Sequence, residues 1–142
     1  MSPSTSFRLF AYGTLQLPEV LQAVIGQRRE GVPALLSGYR RFCVPGKPYP
    51  AMVVDARSSV PGLLYDDLSA AELELLDYYE GELYERHELL VRVQSAQIPA
   101  MSYVLSAAHG ALVTEEPWDL QAFEREHLTS YLQRLGHTRR AP

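Results

Sequence analysis

The sequence predicts an α+β fold: a small mixed, mostly antiparallel β-barrel with helices on its outside. Three observations carry this expectation. Stretches that read as strands outnumber those that read as helices. The two short helices between them do not alternate regularly with strands, as a parallel doubly wound sheet requires. The 142 residues, 46% of them hydrophobic, contain no internal repeat, low-complexity tract or linker. One domain over residues 1–142 is therefore expected, with 1–6 a flexible leader and 136–142 a frayed tail.

Each element has a local reason. Phe7, Leu9 and Ala11 alternate with Arg8, Phe10 and Tyr12, which predicts a strand buried on at least one face. It stops at Gly13. Pro18 to Gly26 reads as a short helix: Pro18 suits the first turn, Glu19 suits the positive end, and Gly26 ends it. Residues 32–44 predict a strand bent at Gly38, and 45–50 (Pro-Gly-Lys-Pro-Tyr-Pro) a rigid loop. Ala51 to Asp55 reads as a brief strand. Val60 to Tyr65 reads as another, which Pro61 marks as an edge or a strand start. Ser69 with Glu72 forms a capping box that opens a helix ending near Tyr79 or Gly81, with Leu73, Leu75 and Leu76 as its apolar contacts. Leu83 to Val93 and Ile98 to Ser106 predict two strands that can pair as a hairpin. Residues 107–116 form a loop, and Trp118 to Leu135 an amphipathic helix with Leu120, Phe123, Leu128, Tyr131 and Leu132 facing inward.

Composition narrows the functional classes. Net charge is −4 and the pI is about 5.5, which argues against a nucleic-acid partner. The single cysteine, Cys43, forbids an internal disulfide and a multi-cysteine metal site. No apolar run approaches ~20 residues, so no transmembrane helix is expected, and the polar leader lacks the features of a signal peptide. The reading is a soluble, cytoplasmic protein with no membrane partner. Exposed strand edges permit a dimer without requiring one.

Two stretches hold candidate chemistry. The turn at Gly13, Thr14 and Leu15, leaving a buried strand, reads either as an ordinary turn or as a loop whose amides hold a carboxylate or oxyanion. Leu76 to Arg86 places Asp77, Glu80, Glu82 and Glu85 around Gly81, with Tyr78, Tyr79, Tyr84 and Arg86 close by. It reads either as a charged helix end with tyrosines packed on the core or as an acid–base site. Glu80 falls where a helix ends against a buried strand, and desolvation there raises a carboxyl pKa into the useful range. A metal site is a weaker reading, since bunched carboxylates alone seldom specify one. Cys43 reads as an inert core thiol. Glu124 and His127 read as part of a solvated helix face.

The Tyr-Gly-Thr-Leu strand end, Tyr49-Pro50-Ala51-Met52, Pro61-Gly62-Leu63-Leu64-Tyr65, Leu76-Asp77-Tyr78-Tyr79-Glu80-Gly81 with Tyr84 and Arg86, and Trp118 to Phe123 occur in this order. Together, over roughly residues 7–133, they resemble the gamma-glutamylcyclotransferase-like family, including gamma-glutamylamine cyclotransferases and the plant avirulence-induced-gene type. The resemblance implies a small barrel with a pocket lined by the Tyr-Gly-Thr-Leu loop. It implies Glu80 as catalytic acid–base, with Tyr12, Gly13, Thr14, Leu15, Tyr84 and Arg86 around the substrate. Tyr12 and Tyr84 would shape the pocket or donate hydrogen bonds, and Arg86 would balance charge nearby. The implied partner is a small gamma-glutamyl amine or amino acid, cyclised to 5-oxoproline with neither metal nor organic cofactor. The alternative is a non-catalytic module on the same fold that binds a small metabolite or a partner protein.

Overall fold

Strands of alternating burial close into a barrel, seen in a computed structural model that describes residues 6–140. Among the described residues the order around it is β1 (Phe7–Ala11), β3 (Pro50–Leu68), β2 (Val32–Cys43), β4 (Tyr84–Val93) and β5 (Ala96–Leu105). The β1–β3, β2–β3 and β4–β5 pairs are antiparallel. A parallel contact, Leu9 opposite Met101, closes β5 onto β1, and Leu35 opposite Arg92 joins β2 to β4.

β1 is buried on both faces. Phe10 and Tyr12 enter the barrel interior with Leu36, Met52, Val60, Leu64 and Val91. Leu9 and Ala11 face a second core, shared with helices α1 (Pro18–Ile25) and α2 (Ala70–Glu80). Gly26 ends α1 at φ +84°. Ser69 and Glu72 form the expected capping box, each side chain taking the other residue's backbone N–H. Leu73 and Leu76 are buried, whereas Leu75 is 46% exposed. It lies about 100° around the helix from Leu76, off the inward face.

The structure departs from the sequence reading in four places. The two strands expected at 51–55 and 60–65 are one strand, β3, with an irregularity between them. Ser37 pairs with Ser59 but Tyr39 pairs with Val54, so residues 55–58 bulge opposite Gly38 (φ +88°). Asp55 holds the bulge by accepting from the Arg57 N–H and the Ser58 hydroxyl. Pro61 is therefore mid-strand. It pairs with Leu35 and lies beyond Ala11–Leu63, the last β1–β3 pair, so no β1 residue pairs with it.

The expected helix from Trp118 to Leu135 is two, α3 (Leu120–Glu126) and α4 (Leu128–Arg140). Asp119 caps α3, and the chain kinks at His127 (φ −128°, ψ −17°). The kink lets the Tyr131 ring meet Phe123 edge-on at 5.2 Å. Finally, α4 runs through Gly136 to Arg140 rather than fraying there. One glycine costs a helix only about 1 kcal/mol. Part of the 107–116 loop, Ala107–Leu112, is wound into a 3₁₀ turn. No helix among the described residues is long and apolar enough to cross a membrane.

Gly62 lets β3 approach β1. A Cβ there would fall 2.3 Å from the Ala11 carbonyl oxygen and 2.9 Å from the Phe10 ring. Overpacking of this kind costs about 1–3 kcal/mol or more. Gly62→Ala is expected to lose at least about 2 kcal/mol in urea unfolding. A loss below about 0.5 kcal/mol would show that the two strands have room to separate.

Candidate active site

The N-terminal strand ends at one rim of a cavity of about 100 Å³. β1 and its turn supply Leu9 to Leu15, the segment after β2 supplies Tyr49 and Pro50, and α2 supplies Tyr79 and Glu80. Tyr84, Tyr103 and Tyr131 complete it. Six tyrosines thus line the cavity among the described residues. Glu80 is the carboxylate in this lining, and no lysine or arginine belongs to it.

Glu80 ends α2, one residue before Gly81 (φ +72°) turns the chain away. Among the described residues, no hydrogen-bond donor or cation contacts its carboxyl. Burial, and secondarily the Asp77 carboxylate, pushes its pKa up to about 8. A carboxyl in this state is poised between acid and base near neutral pH.

Five of the six tyrosines are already hydrogen-bonded. Tyr12 donates to the Tyr103 carbonyl, Tyr84 to the Pro50 carbonyl at 2.6 Å, and Tyr103 to Asp77 Oδ1 at 2.7 Å. Tyr79 bonds the Thr14 hydroxyl at 2.7 Å and also the Tyr131 hydroxyl. Burial raises the pKa of each of these tyrosines. The sequence reading allowed Tyr12 and Tyr84 to donate to a ligand. Their protons are instead committed to backbone carbonyls, so their oxygens face a ligand as acceptors.

The turn at Gly13 presents donors. Thr14–Gln16 forms one 3₁₀ turn, in which the Gln16 N–H bonds the Gly13 carbonyl. The amides of Gly13, Thr14 and Leu15 have no acceptor among the described residues. Arg41 lies outside the cavity and donates to the Tyr12 carbonyl at 2.8 Å. Across the trans peptide, the Gly13 N–H points the opposite way. Gly13 packs closely on Pro50: a Cβ there would lie 3.0 Å from the Pro50 ring, which would have to shift slightly.

The remaining predicted residues are dispersed. Arg86 lies outside the lining and pairs with Asp77 Oδ2 at 2.9 Å. Its charge reaches the cavity through Asp77, because Asp77 also takes the Tyr103 hydroxyl. Tyr78 is 82% exposed, and Glu82 and Glu85 are on the surface. Cys43 is half-buried rather than a core residue. Its thiol, pushed up by burial and by Glu116, donates to the Pro117 carbonyl. Glu124 and His127 are exposed, as expected for a solvated face. The sequence reading did not name Tyr103 or Arg41 for the site. A tyrosine in an otherwise apolar strand and an arginine beside the buried Phe42 were the available signals.

The family described as gamma-glutamyl cyclotransferase, AIG2-like, matches residues 9–120. AIG2-like protein C of Arabidopsis thaliana is 28% identical over 100% of this chain and 85% of its own length. AIG2-like protein A of the same plant is 30% identical over 94% and 83%. A solution structure from Arabidopsis thaliana superposes with a TM-score of 0.72 at 26% identity, covering 97% of this chain and 84% of that one. A solved gamma-glutamyl cyclotransferase shares the fold, with a TM-score of 0.64 at 18% identity over 93% and 87%.

The raised pKa of Glu80 has a consequence for stability. Its folded value, about 8, exceeds the ordinary carboxyl value of 4.5. The native state therefore binds the extra proton between those limits. Stability is fully present below about 4.5 and is lost as pH rises through about 8. Glu80→Gln lacks this titration. Thermal melts should show the variant gaining several degrees on the wild type between pH 5 and pH 9. A constant difference across that range would mean the carboxyl is not buried.

Proposed function

The chain belongs to the gamma-glutamyl cyclotransferase, AIG2-like family, and from that premise we propose that it cyclises a gamma-glutamyl amide to 5-oxoproline and a free amine. The observation that carries this reading is the unpartnered Glu80 carboxyl beside the open amides of Gly13, Thr14 and Leu15. A gamma-glutamyl group brings complementary charges: an ammonium for Glu80 and the tyrosine oxygens, and a carboxylate for the amides.

The reaction needs little beyond placement and one proton carrier. Glu80 takes a proton from the substrate's α-ammonium. Pushed up to about 8, Glu80 holds that proton more firmly than an ordinary carboxylate would. The freed amine attacks the γ-carbonyl carbon, forming the ring C–N bond and an oxyanion. As the carbonyl re-forms, the bond to the outgoing nitrogen breaks and Glu80 returns the proton to that nitrogen, while the second proton left on the ring nitrogen passes through the freed carboxylate to the departing amine, which leaves as an ammonium. The carboxylate is regenerated, and the products are 5-oxoproline and the amine. Because nucleophile and electrophile share one molecule, holding the ring-closing rotamer supplies much of the acceleration. Effective molarities of ~10⁵ M or more are typical of well-oriented cases. The turn amides are suited to hold either the α-carboxylate or the oxyanion.

The test is 5-oxoproline release by the purified protein from gamma-glutamyl amino acids, gamma-glutamyl-epsilon-lysine and glutathione. Glu80→Gln should lower kcat by at least ~10²-fold, within the range for general acid–base groups. Glu82→Gln should change it less than threefold, since Glu82 lies outside the cavity. The acid limb of kcat/KM should rise through about pH 8, where free Glu80 ionises. Turnover at the wild-type rate by Glu80→Gln would remove Glu80 from the mechanism. Release from none of these amides would favour a binding module on the same fold.

A further inference from the structure

Beside the cavity lies a wider groove of about 620 Å³. The two spaces share their building segments. Lys47 and Pro48 line the groove and lead directly into Tyr49 and Pro50 of the cavity. On α4, Ser130 and Arg134 line the groove, while Tyr131 between them lines the cavity. The Arg134 guanidinium sits 5.6 Å from the centre of the Tyr131 ring. Tyr49 marks the boundary from the other side: its hydroxyl feels both Glu80 and Arg134.

Among the described residues that line the groove, basic side chains outnumber acidic ones: Lys47, His127 and Arg134 stand against the Glu116 carboxylate. Past Glu80 the chain continues through Gly81 to the exposed carboxylate of Glu82, while Asp77, one turn back along α2, is paired with Arg86. An amide held with its glutamyl part in the small cavity must send its amine part outward. The groove beyond Tyr49 and Tyr131 is the adjoining space.

We propose that the groove at Lys47, His127 and Arg134 is the leaving-group subsite, and that it selects amines bearing an anionic group, carboxylate or phosphate. This rests on the cyclotransferase reading for its chemistry, though binding alone can test it. An anionic arm is drawn toward Lys47 and Arg134, whereas Asp77 has its counter-charge in Arg86 and Glu82 offers only repulsion. The cations are exposed, so their discrimination is moderate, about tenfold for two acting together, and sensitive to salt.

The experiment uses four gamma-glutamyl amides that share a two-carbon arm, made from ethylamine, β-alanine, O-phosphoethanolamine and ethylenediamine. Release of 5-oxoproline gives kcat/KM for each. Calorimetry on Glu80→Gln gives affinity without turnover. The β-alanine or phosphoethanolamine amide should exceed the ethylamine amide about tenfold, and the ethylenediamine amide should be the poorest. The arm that gains more identifies carboxylate or phosphate as the preferred anion. In Lys47→Gln/Arg134→Gln the ratio should fall to within about twofold. Equal values across the series, or a preference that survives the double substitution, would overturn the proposal. If no amide releases 5-oxoproline, the cyclotransferase reading fails and the affinity series decides. A preference for the anionic amides that Lys47 and Arg134 control would still uphold the subsite, and its absence would overturn it.

Discussion

The cavity exists because one guanidinium, Arg41, ties together the two segments that form its walls. It donates to the Tyr12 carbonyl at the end of β1 and lies 5.3 Å from the centre of the Trp118 ring. Trp118 in turn donates through Nε1 to the Pro48 carbonyl at 2.7 Å. From Tyr12 to Pro48 the connection is one continuous chain, and it runs outside the cavity. Inside, Tyr84 holds the Pro50 carbonyl, and Gly13 leaves space for the Pro50 ring. Burial lowers the Arg41 pKa, while Asp119 and Tyr12 offset part of that effect. Arg41 forms no ion pair among the described residues. Its charge therefore serves the carbonyl and the indole, an arrangement that favours arginine's planar, weakly hydrated head over lysine.

With its walls braced, the cavity can hold a carboxyl that has no counter-charge. Asp77 shows the contrast within a single helix turn. It takes Arg86 and the Tyr103 hydroxyl, so its oxygens are satisfied. Glu80, three residues on, has neither, and its ionisation is disfavoured by burial and by Asp77 itself. The Tyr12, Tyr84 and Tyr103 hydroxyls offer little relief because their protons go to other acceptors. A buried charge without partners is destabilising, and this is the local inconsistency expected where a fold is shaped by its chemistry. An ammonium entering the cavity would supply the missing partner and meet the Tyr12 and Tyr84 oxygens as acceptors.

What the sequence made legible was local, and what it hid was long-range. The Ser69–Glu72 box, the Pro18 start and the Gly26 stop depend on residues within one turn, and each appears as read. The placement of Glu80 was legible for the same reason, because a helix end and a glycine bound it. β3 was read as two strands because its continuity depends on Asp55 bridging a bulge opposite Gly38, a feature of pairing rather than of propensity. The break at His127 depends on Phe123 and Tyr131 meeting across the kink. Arg86 looked close to Glu80 in sequence, but it pairs with Asp77 and lies outside the cavity lining. Tyr103 and Arg41 act through bonds to residues 26 to 91 positions away, and no short pattern encodes such distances. The direction of the Tyr12 and Tyr84 hydroxyls was equally beyond reach, since residue type specifies a donor and an acceptor but not which is in use.

The same two segments that close the cavity also carry the groove beside it, and this coupling constrains how specificity can arise. Tyr131 and Arg134 are one helical turn apart on α4, and Lys47 and Tyr49 are two residues apart in one loop. Moving either segment to suit a different outgoing amine would shift Tyr131 or Tyr49, and with them the surroundings of Glu80. Substituting the charged side chains would not. Lys47, His127 and Arg134 are exposed, so they can change at less cost to the backbone that supports the cavity than a shift of either segment. Binding energy from the amine part would then help hold the glutamyl part in its ring-closing rotamer, as remote contacts do in other enzymes. On this arrangement, selection among amines falls to replaceable surface charges, and ring closure to a cavity held rigid by Arg41, Trp118 and the close contact of Gly13 with Pro50.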